Sequence, residues 1–208
     1  MIVGIPPQEQ GVRPTRALPY ELNVYAVVDI SAGTVLLTFV NTGRAAVVFQ
    51  VRSGNPADLV RTYTVESGKQ LADKWKVTSS YSLSVYGPNG FVRYFNGSVV
   101  SGAALLAVSS TYNTGGTGSI AWSVTNVATS PVVVNVLDAY TGDFVEQVLQ
   151  AGESFENELS LKQFYGWYDL IVTAAEDSTF NYRLAGHVET GRDSFSDPAL
   201  GGLVTLKG

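Results

Sequence analysis

The sequence predicts an all-β protein: two tandem immunoglobulin-like β-sandwich modules of about seven strands each. Three observations carry this expectation. Apolar residues alternate with a period of 2 along most of the chain, and no stretch follows the helical period of 3.6. The alternating runs are rich in valine, threonine, tyrosine and phenylalanine, and turn residues separate them. The chain also resembles itself at an offset close to 85 residues.

The repeat is anchored by matched strands. Ala45–Val51 reads against Ser130–Val136, and Val35, Leu37, Phe39 and Asn41 read against Ile120, Trp122, Val124 and Asn126, all at an offset of 85. Gly68 matches Gly152 at 84. Tyr81, Leu83 and Val85 match Tyr168, Leu170 and Val172 at 87, and Phe91, Gly97 and Val99 match Phe180, Gly186 and Val188 at 89. The offset changes only between strands, where loops absorb insertions.

The first 19 residues carry Pro6, Pro7, Pro14 and Pro19 without periodicity, so 1–19 is expected to be an extended proline-rich connector. Module 1, residues 20–101, should hold strands near 20–29, 34–41, 45–52, 60–65, 69–75, 80–87 and 91–97. Turns at Ala32-Gly33, Asn41-Thr42-Gly43, Gly54-Asn55-Pro56, Ser67-Gly68 and Gly87-Pro88-Asn89-Gly90 divide them. Module 2, residues 102–190, should hold strands near 103–112, 118–126, 131–138, 144–149, 153–160, 166–174 and 179–188. The tail, 191–208, offers one short apolar stretch, Leu203–Leu206, as an added edge strand. Seven short strands per module, spaced by turns, suit a two-sheet sandwich.

Composition narrows the function classes. Hydrophobic residues make up 45% and charged residues 15%, a core-forming balance. Thirteen basic against 18 acidic residues give a net charge of −5. No basic cluster is present, so nucleic acid is not expected as a partner, and anionic lipid gains no electrostatic attraction. The chain has no cysteine, which removes thiol catalysis and thiolate metal sites. No apolar run approaches the roughly 18 residues of a membrane span. Met1–Gln10 lacks the basic start and apolar core of a signal peptide. Met1 is read as the start of an excised piece, with a free-standing protein as the alternative.

Candidate chemistry is sparse. The single histidine, His187, ends the last predicted strand and reads as a strand-end residue facing a loop rather than a catalytic group. Walker, GxGxxG, GxSxG and HExxH patterns are absent, so no catalytic residue, cofactor or metal site is expected. Glu153, Glu156 and Glu158, with Asp138, Asp143 and Glu146 nearby, suit the wet face of strands better than a calcium loop. Phe164, Tyr165 and Trp167 cluster before a strand whose inward set is Tyr168, Leu170 and Val172, so Trp167 should face the other way. They are the candidate ligand or interface contacts. Trp167 could touch a sugar, a lipid interface or a neighbouring domain, or cover the sandwich end or the inter-module joint.

Four segments resemble a known family. Pro7-Gln8-Glu9-Gln10-Gly11-Val12-Arg13-Pro14-Thr15-Arg16-Ala17-Leu18-Pro19-Tyr20 is similar to the stretch joining catalytic and C-terminal regions in bacterial phosphocholine-preferring phospholipases C. Arg61–Lys69 and Gly87–Gly97 resemble the first of that family's two repeated C-terminal domains, and Gly186–Pro198 the end of the second. The resemblance implies the non-catalytic C-terminal accessory region of a secreted or periplasmic enzyme. That enzyme would cleave phosphatidylcholine or sphingomyelin. The expected partner is the upstream catalytic domain of the same polypeptide, with weak or no membrane binding by these modules themselves. The alternative is a β-sandwich module binding carbohydrate, a lipid interface or another protein.

Overall fold

The computed structural model describes residues 9–115 and 118–208; the first eight residues of the expected connector lie outside them. After a short connector strand β1 (Pro14–Thr15), module 1 holds β2 (Leu22–Asp29), β3 (Thr34–Asn41), β4 (Val47–Ser53), β5 (Arg61–Val65), β6 (Lys69–Lys76), β7 (Ser80–Tyr86) and β8 (Val92–Ser98). Module 2 holds β9 (Leu106–Asn113), β10 (Ser119–Asn126), β11 (Val132–Asp138), β12 (Phe144–Leu149), β13 (Ser154–Ser160), β14 (Trp167–Ala174) and β15 (Asp177–His187). A single 3-10 turn at Lys162–Phe164 precedes β14, and the tail adds β16 (Ser194–Phe195). No helix among the described residues is long and apolar enough to cross a membrane.

The alternation seen in the sequence sets the two faces of each sheet. Val35, Leu37 and Phe39 are fully buried, while Leu36, Thr38 and Val40 between them are half-buried. Ile120, Trp122 and Val124 repeat the pattern in β10. In each module a three-stranded sheet, β2-β3-β6 or β13-β10-β9, covers four strands of the other sheet. Their inward residues form one continuous apolar cluster that runs through both modules. β9 begins at Leu106 rather than near 103, because the amide of Ala103 closes a turn onto the Val100 carbonyl (3.2 Å).

The repeat holds at the level of single atoms. Asn41 and Asn126 are both fully buried. Asn41 Nδ2 donates to the carbonyls of Ala45 (2.8 Å) and Val65 (3.0 Å), and its Oδ1 accepts from Gly43 N. Asn126 Nδ2 donates to Ser130 O (2.8 Å) and Leu149 O (3.0 Å), and its Oδ1 accepts from Ala128 N. Each asparagine satisfies buried backbone groups where the chain crosses from one sheet to the other. Val47 and Val132 lie on equivalent strands, since β4 pairs with β5 and β7 as β11 pairs with β12 and β14.

The modules are fused through their last strands. β8 pairs antiparallel with β15, joining the two four-stranded sheets into one eight-stranded sheet in the order β12-β11-β14-β15-β8-β7-β4-β5. The central pair is Tyr94 with Arg183, which are equivalent positions of the repeat. A pseudo-twofold axis therefore passes through that pair, and the joint has the geometry of an isologous dimer interface inside one chain. The first strands of the modules also meet: Tyr25 Oη and Asn23 Nδ2 both donate to the Ser110 carbonyl, at 3.2 and 3.1 Å.

Candidate functional site

The joint is built around a buried arginine. Arg93 has no exposed surface. It occupies an inward position of β8 between Phe91 and Phe95, where the alternation calls for an apolar residue. Nη2 donates to Tyr112 Oη (2.8 Å), Tyr168 Oη (3.0 Å) and Asn23 Oδ1 (3.3 Å). Nη1 donates to the carbonyls of Val92 (2.9 Å) and Ala185 (3.0 Å). The guanidinium lies 4.3 Å from the centre of the Phe91 ring. All of these hydrogen-bond partners are neutral oxygens; burial pushes the Tyr112 hydroxyl well above its ordinary range, so it stays protonated beside the cation.

Beside this arginine the chain enters module 1. Glu189, on the exit from β15, accepts from the amide of Leu18 in the connector (3.0 Å) and from Asn89 Nδ2 in the β7–β8 turn (2.6 Å). That turn has positive φ at Asn89 (53°) and Gly90 (71°), the combination an Asn-Gly hairpin favours. Glycine is needed at 90 for a second reason, because a Cβ there would come within 2.8 Å of the Trp167 ring. The connector strand β1 pairs with β16 of the tail, and Gly11 N donates to Gly201 O (2.9 Å).

His187, Glu189 and Ser194 meet at this corner. His187 Nδ1 lies 3.0 Å from Glu189 Oε1, and Nε2 lies 2.9 Å from the Tyr165 carbonyl and 3.3 Å from Ser194 Oγ. Serine, histidine and glutamate thus follow one another as in a hydrolytic triad, but the surroundings do not suit nucleophilic attack. Ser194 Oγ donates to Tyr165 O (2.7 Å) instead of to the imidazole. The His187 side chain is 5% exposed, and a Cβ on Gly166 would lie 2.9 Å from Nε2. The cavity that touches His187 and Glu189 is not lined by Ser194, so the hydroxyl does not face a space where a reacting carbonyl or phosphoryl group could sit. The three side chains tie connector, tail and β15 together.

The aromatic cluster belongs to the same corner. Trp167 does face away from Tyr168, but it is buried: its ring packs on His187 (4.9 Å between centres), and Nε1 donates to the Phe195 carbonyl (2.9 Å). Phe164 is half-buried against Tyr140, with ring centres 4.8 Å apart. Tyr165, held in a left-handed conformation (φ 57°), is 39% exposed and packs on Phe195. An open cleft of about 510 Å³ lies alongside, lined by Arg13, Asn89, Tyr140, Trp167, Asp197 and Leu206. The tail strand is Ser194–Phe195, and Leu203–Leu206 forms no strand. Instead Leu203 N bonds back to Pro198 O, and Lys207 N donates to Ala139 O.

Elsewhere the acidic residues are dispersed. Glu156 and Glu158 point outward from β13 and accept from Ser123 and Ser119 of β10. No group of acidic and imidazole side chains among the described residues could hold a metal ion.

One further constellation was not singled out by sequence reasoning. At the outer edge of module 1, Asp73 Oδ2 accepts from Arg61 Nη1 (2.9 Å) and Tyr63 Oη (2.6 Å), and the Arg61 guanidinium lies 3.8 Å over the Trp75 ring. The clasp ties β5 of one sheet to β6 of the other. Strand registers place Val145, Gln147, Asn157 and Leu159 at the equivalent positions of module 2, so the clasp has no counterpart there.

Comparison with known proteins places this arrangement. The chain matches the family "Bacterial phospholipase C, C-terminal domain" twice, over residues 14–98 and 105–187. It is 42% identical over 205 residues to a non-hemolytic phospholipase C of Burkholderia pseudomallei, covering 95% of this chain and 29% of that protein. In Pseudomonas aeruginosa, a non-hemolytic phospholipase C is 37% identical over 213 residues (96% and 30%), and a hemolytic phospholipase C is 36% identical over 230 residues (95% and 31%). The chain thus spans about 30% of the length of these relatives and corresponds to their non-catalytic C-terminal region. With both of its sandwiches matched, it belongs to the family of bacterial phospholipase C C-terminal domains.

Proposed function

We propose that this pair of sandwiches is the accessory region of a secreted or periplasmic phospholipase C acting on phosphatidylcholine or sphingomyelin. It packs on, and helps orient, the catalytic domain that precedes it in the same polypeptide. The observation that carries this reading is the match of nearly the whole chain to the C-terminal part of proteins about three times its length. The fused joint supports it, because a rigid pair makes a better platform than two modules on a flexible linker. Phe164, Tyr165 and Trp167 serve here as interface contacts: Phe164 and Trp167 from beneath, by anchoring the tail, and Tyr165 from the surface. Bilayers are bound weakly at most, since a net charge of −5 gives no attraction to anionic lipid.

The test is hydrolysis of p-nitrophenylphosphorylcholine. The chain alone should release no more product than a buffer blank, because it holds no nucleophile with an adjacent free base. The longer polypeptide should turn the substrate over, with a lower inactivation temperature once these modules are deleted. Turnover by the chain alone, lost on a point substitution, would sink the reading, as would full thermal stability of the truncated enzyme.

A further inference from the structure

Taking that accessory reading as given, we propose where the preceding domain sits: on the tail and the β12 edge of module 2, and not on the corresponding edge of module 1. Exposure alone does not choose between them. Module 1 presents Val48, Leu59 and Val60, and module 2 presents Phe144, Val145 and Val148. Two other observations do. The first is the clasp. In module 1, Arg61, Tyr63 and Asp73 cross-link the edge strand β5 to β6 and leave it charged and closed. Its counterpart β12 has Val145 and Gln147 in place of Arg61 and Tyr63, pairs among the described residues with β11 alone, and carries a single exposed charge, Glu146, between Phe144 and Val148. An edge strand carrying exposed apolar residues, with no charge clasp to block it, is what natural sheets avoid unless something covers it.

The second is the path of the chain. Most of the length of the relatives lies outside this region, and the connector enters it at Gln10–Gly11, directly against Gly201 and Gly202 of the tail. The tail then leads to β12. It exposes Leu200 (80%) and Leu203 (54%), and Lys207 packs on Gly142 in the β11–β12 hairpin. A Cβ on Gly208 would touch Ile171, which pairs with Leu137, itself paired with Phe144 at the head of β12. Exposed apolar residues therefore lie at both ends of the path from the point of entry to the unclasped edge. A domain that precedes the connector in the same polypeptide meets this surface at high effective concentration.

Hydrogen exchange read by mass spectrometry, on this chain alone and on the polypeptide that includes the preceding domain, tests the placement. The amides of Phe144–Leu149 and Ala199–Leu203 should exchange at least tenfold more slowly in the longer protein, and those of Arg61–Val65 should not change. Leu203→Asp should remove the added protection in the longer protein while leaving the melting temperature of this chain unchanged. Slowing at another face with none at β12 would overturn the docking surface and leave the accessory reading standing. No slowing anywhere would overturn both.

Discussion

The pseudo-twofold axis through Tyr94 and Arg183 relates two halves of the joint that do the same job with different chemistry. On one side Arg93 reaches toward Tyr168; on the other its counterpart Tyr182 reaches toward Tyr81, with hydroxyls 2.8 Å apart. Both sit over equivalent phenylalanines, Arg93 over Phe91 and Tyr182 over Phe180. A phenol needs one partner and stops there. A guanidinium brings five donors, and each one left unpaired in the interior is expensive. Arg93 therefore gathers Asn23, Tyr112, Val92 O and Ala185 O as well, with Nε left unpaired, and Tyr112 donates onward to Leu22 O (2.7 Å). The arginine half thus binds β8 to the first strands of both modules and to β15, on the side where the connector enters. The tyrosine half links only β7 and β15. Replacing one apolar-facing residue by arginine turned a local contact into the tie that fixes one module against the other.

The largest effect should come from breaking that asymmetry. Arg93→Ala leaves two tyrosine hydroxyls, an asparagine and two carbonyls short of donors, and should cost about 3–5 kcal/mol in urea unfolding. Tyr182→Phe removes one hydrogen bond and keeps the ring, so about 1 kcal/mol is expected. Equal losses at both sites would show that the network of five hydrogen bonds adds nothing beyond packing.

Both halves hold buried phenols and should lose stability in alkali; Tyr81 in the tyrosine half gives the clearest window. Burial pushes the Tyr81 hydroxyl up to about 12 from 10.0, and Tyr182 well above its ordinary range. A phenol whose folded value is raised holds its full stability below the unfolded value near 10 and loses it as pH climbs through 12. At about 1.4 kcal/mol for each pH unit, Tyr81 alone accounts for roughly 2–3 kcal/mol across that window. Tyr81→Phe should cost about 1 kcal/mol near pH 8, as the same hydrogen bond is lost, and should flatten the fall in urea midpoint between pH 10 and 12. A variant as alkali-labile as the parent would locate the sensitive group elsewhere.

Much of this was written in the sequence, and the reasons for the rest are specific. Period-2 alternation and the 85-residue offset identified both sandwiches, because a half-buried strand must alternate and a duplicated one must do so twice. The match of Asn41 with Asn126 anticipated two superposable hydrogen-bond corners. The fused sheet was not legible: the pairing of β8 with β15 is made by backbone groups, which every residue carries. Trp167 was read as facing away from Tyr168, and it does. What covers it is a tail strand of two residues, Ser194–Phe195, too short to leave a pattern, while the more apolar Leu203–Leu206 pairs with no strand among the described residues. Arg93 did leave a signal, a charge amid the alternation Phe91, Arg93, Phe95, which burial alone explains.

The smallest effect tests the two edges. Asp73 in the module 1 clasp is held below the ordinary carboxylate range; burial works against this, and the hydrogen bonds from Tyr63 and Arg61 outweigh it. Its contribution is therefore present above the unfolded value near 4 and fades as pH falls through the lower folded value. Arg61 and Asp73 are 40% and 39% exposed, so water screens the pair and Asp73→Asn should cost only about 0.5–1 kcal/mol at neutral pH. The loss should shrink toward pH 3, and salt should reduce it, since the guanidinium is open to solvent. The matching change in module 2, Asn157→Asp, places a carboxylate where Val145 and Gln147 offer no cation or phenol, so it should gain nothing at any pH. If instead both substitutions shifted the urea midpoint alike, the two edges would be equivalent, and the clasp would not be what distinguishes a closed edge from an open one.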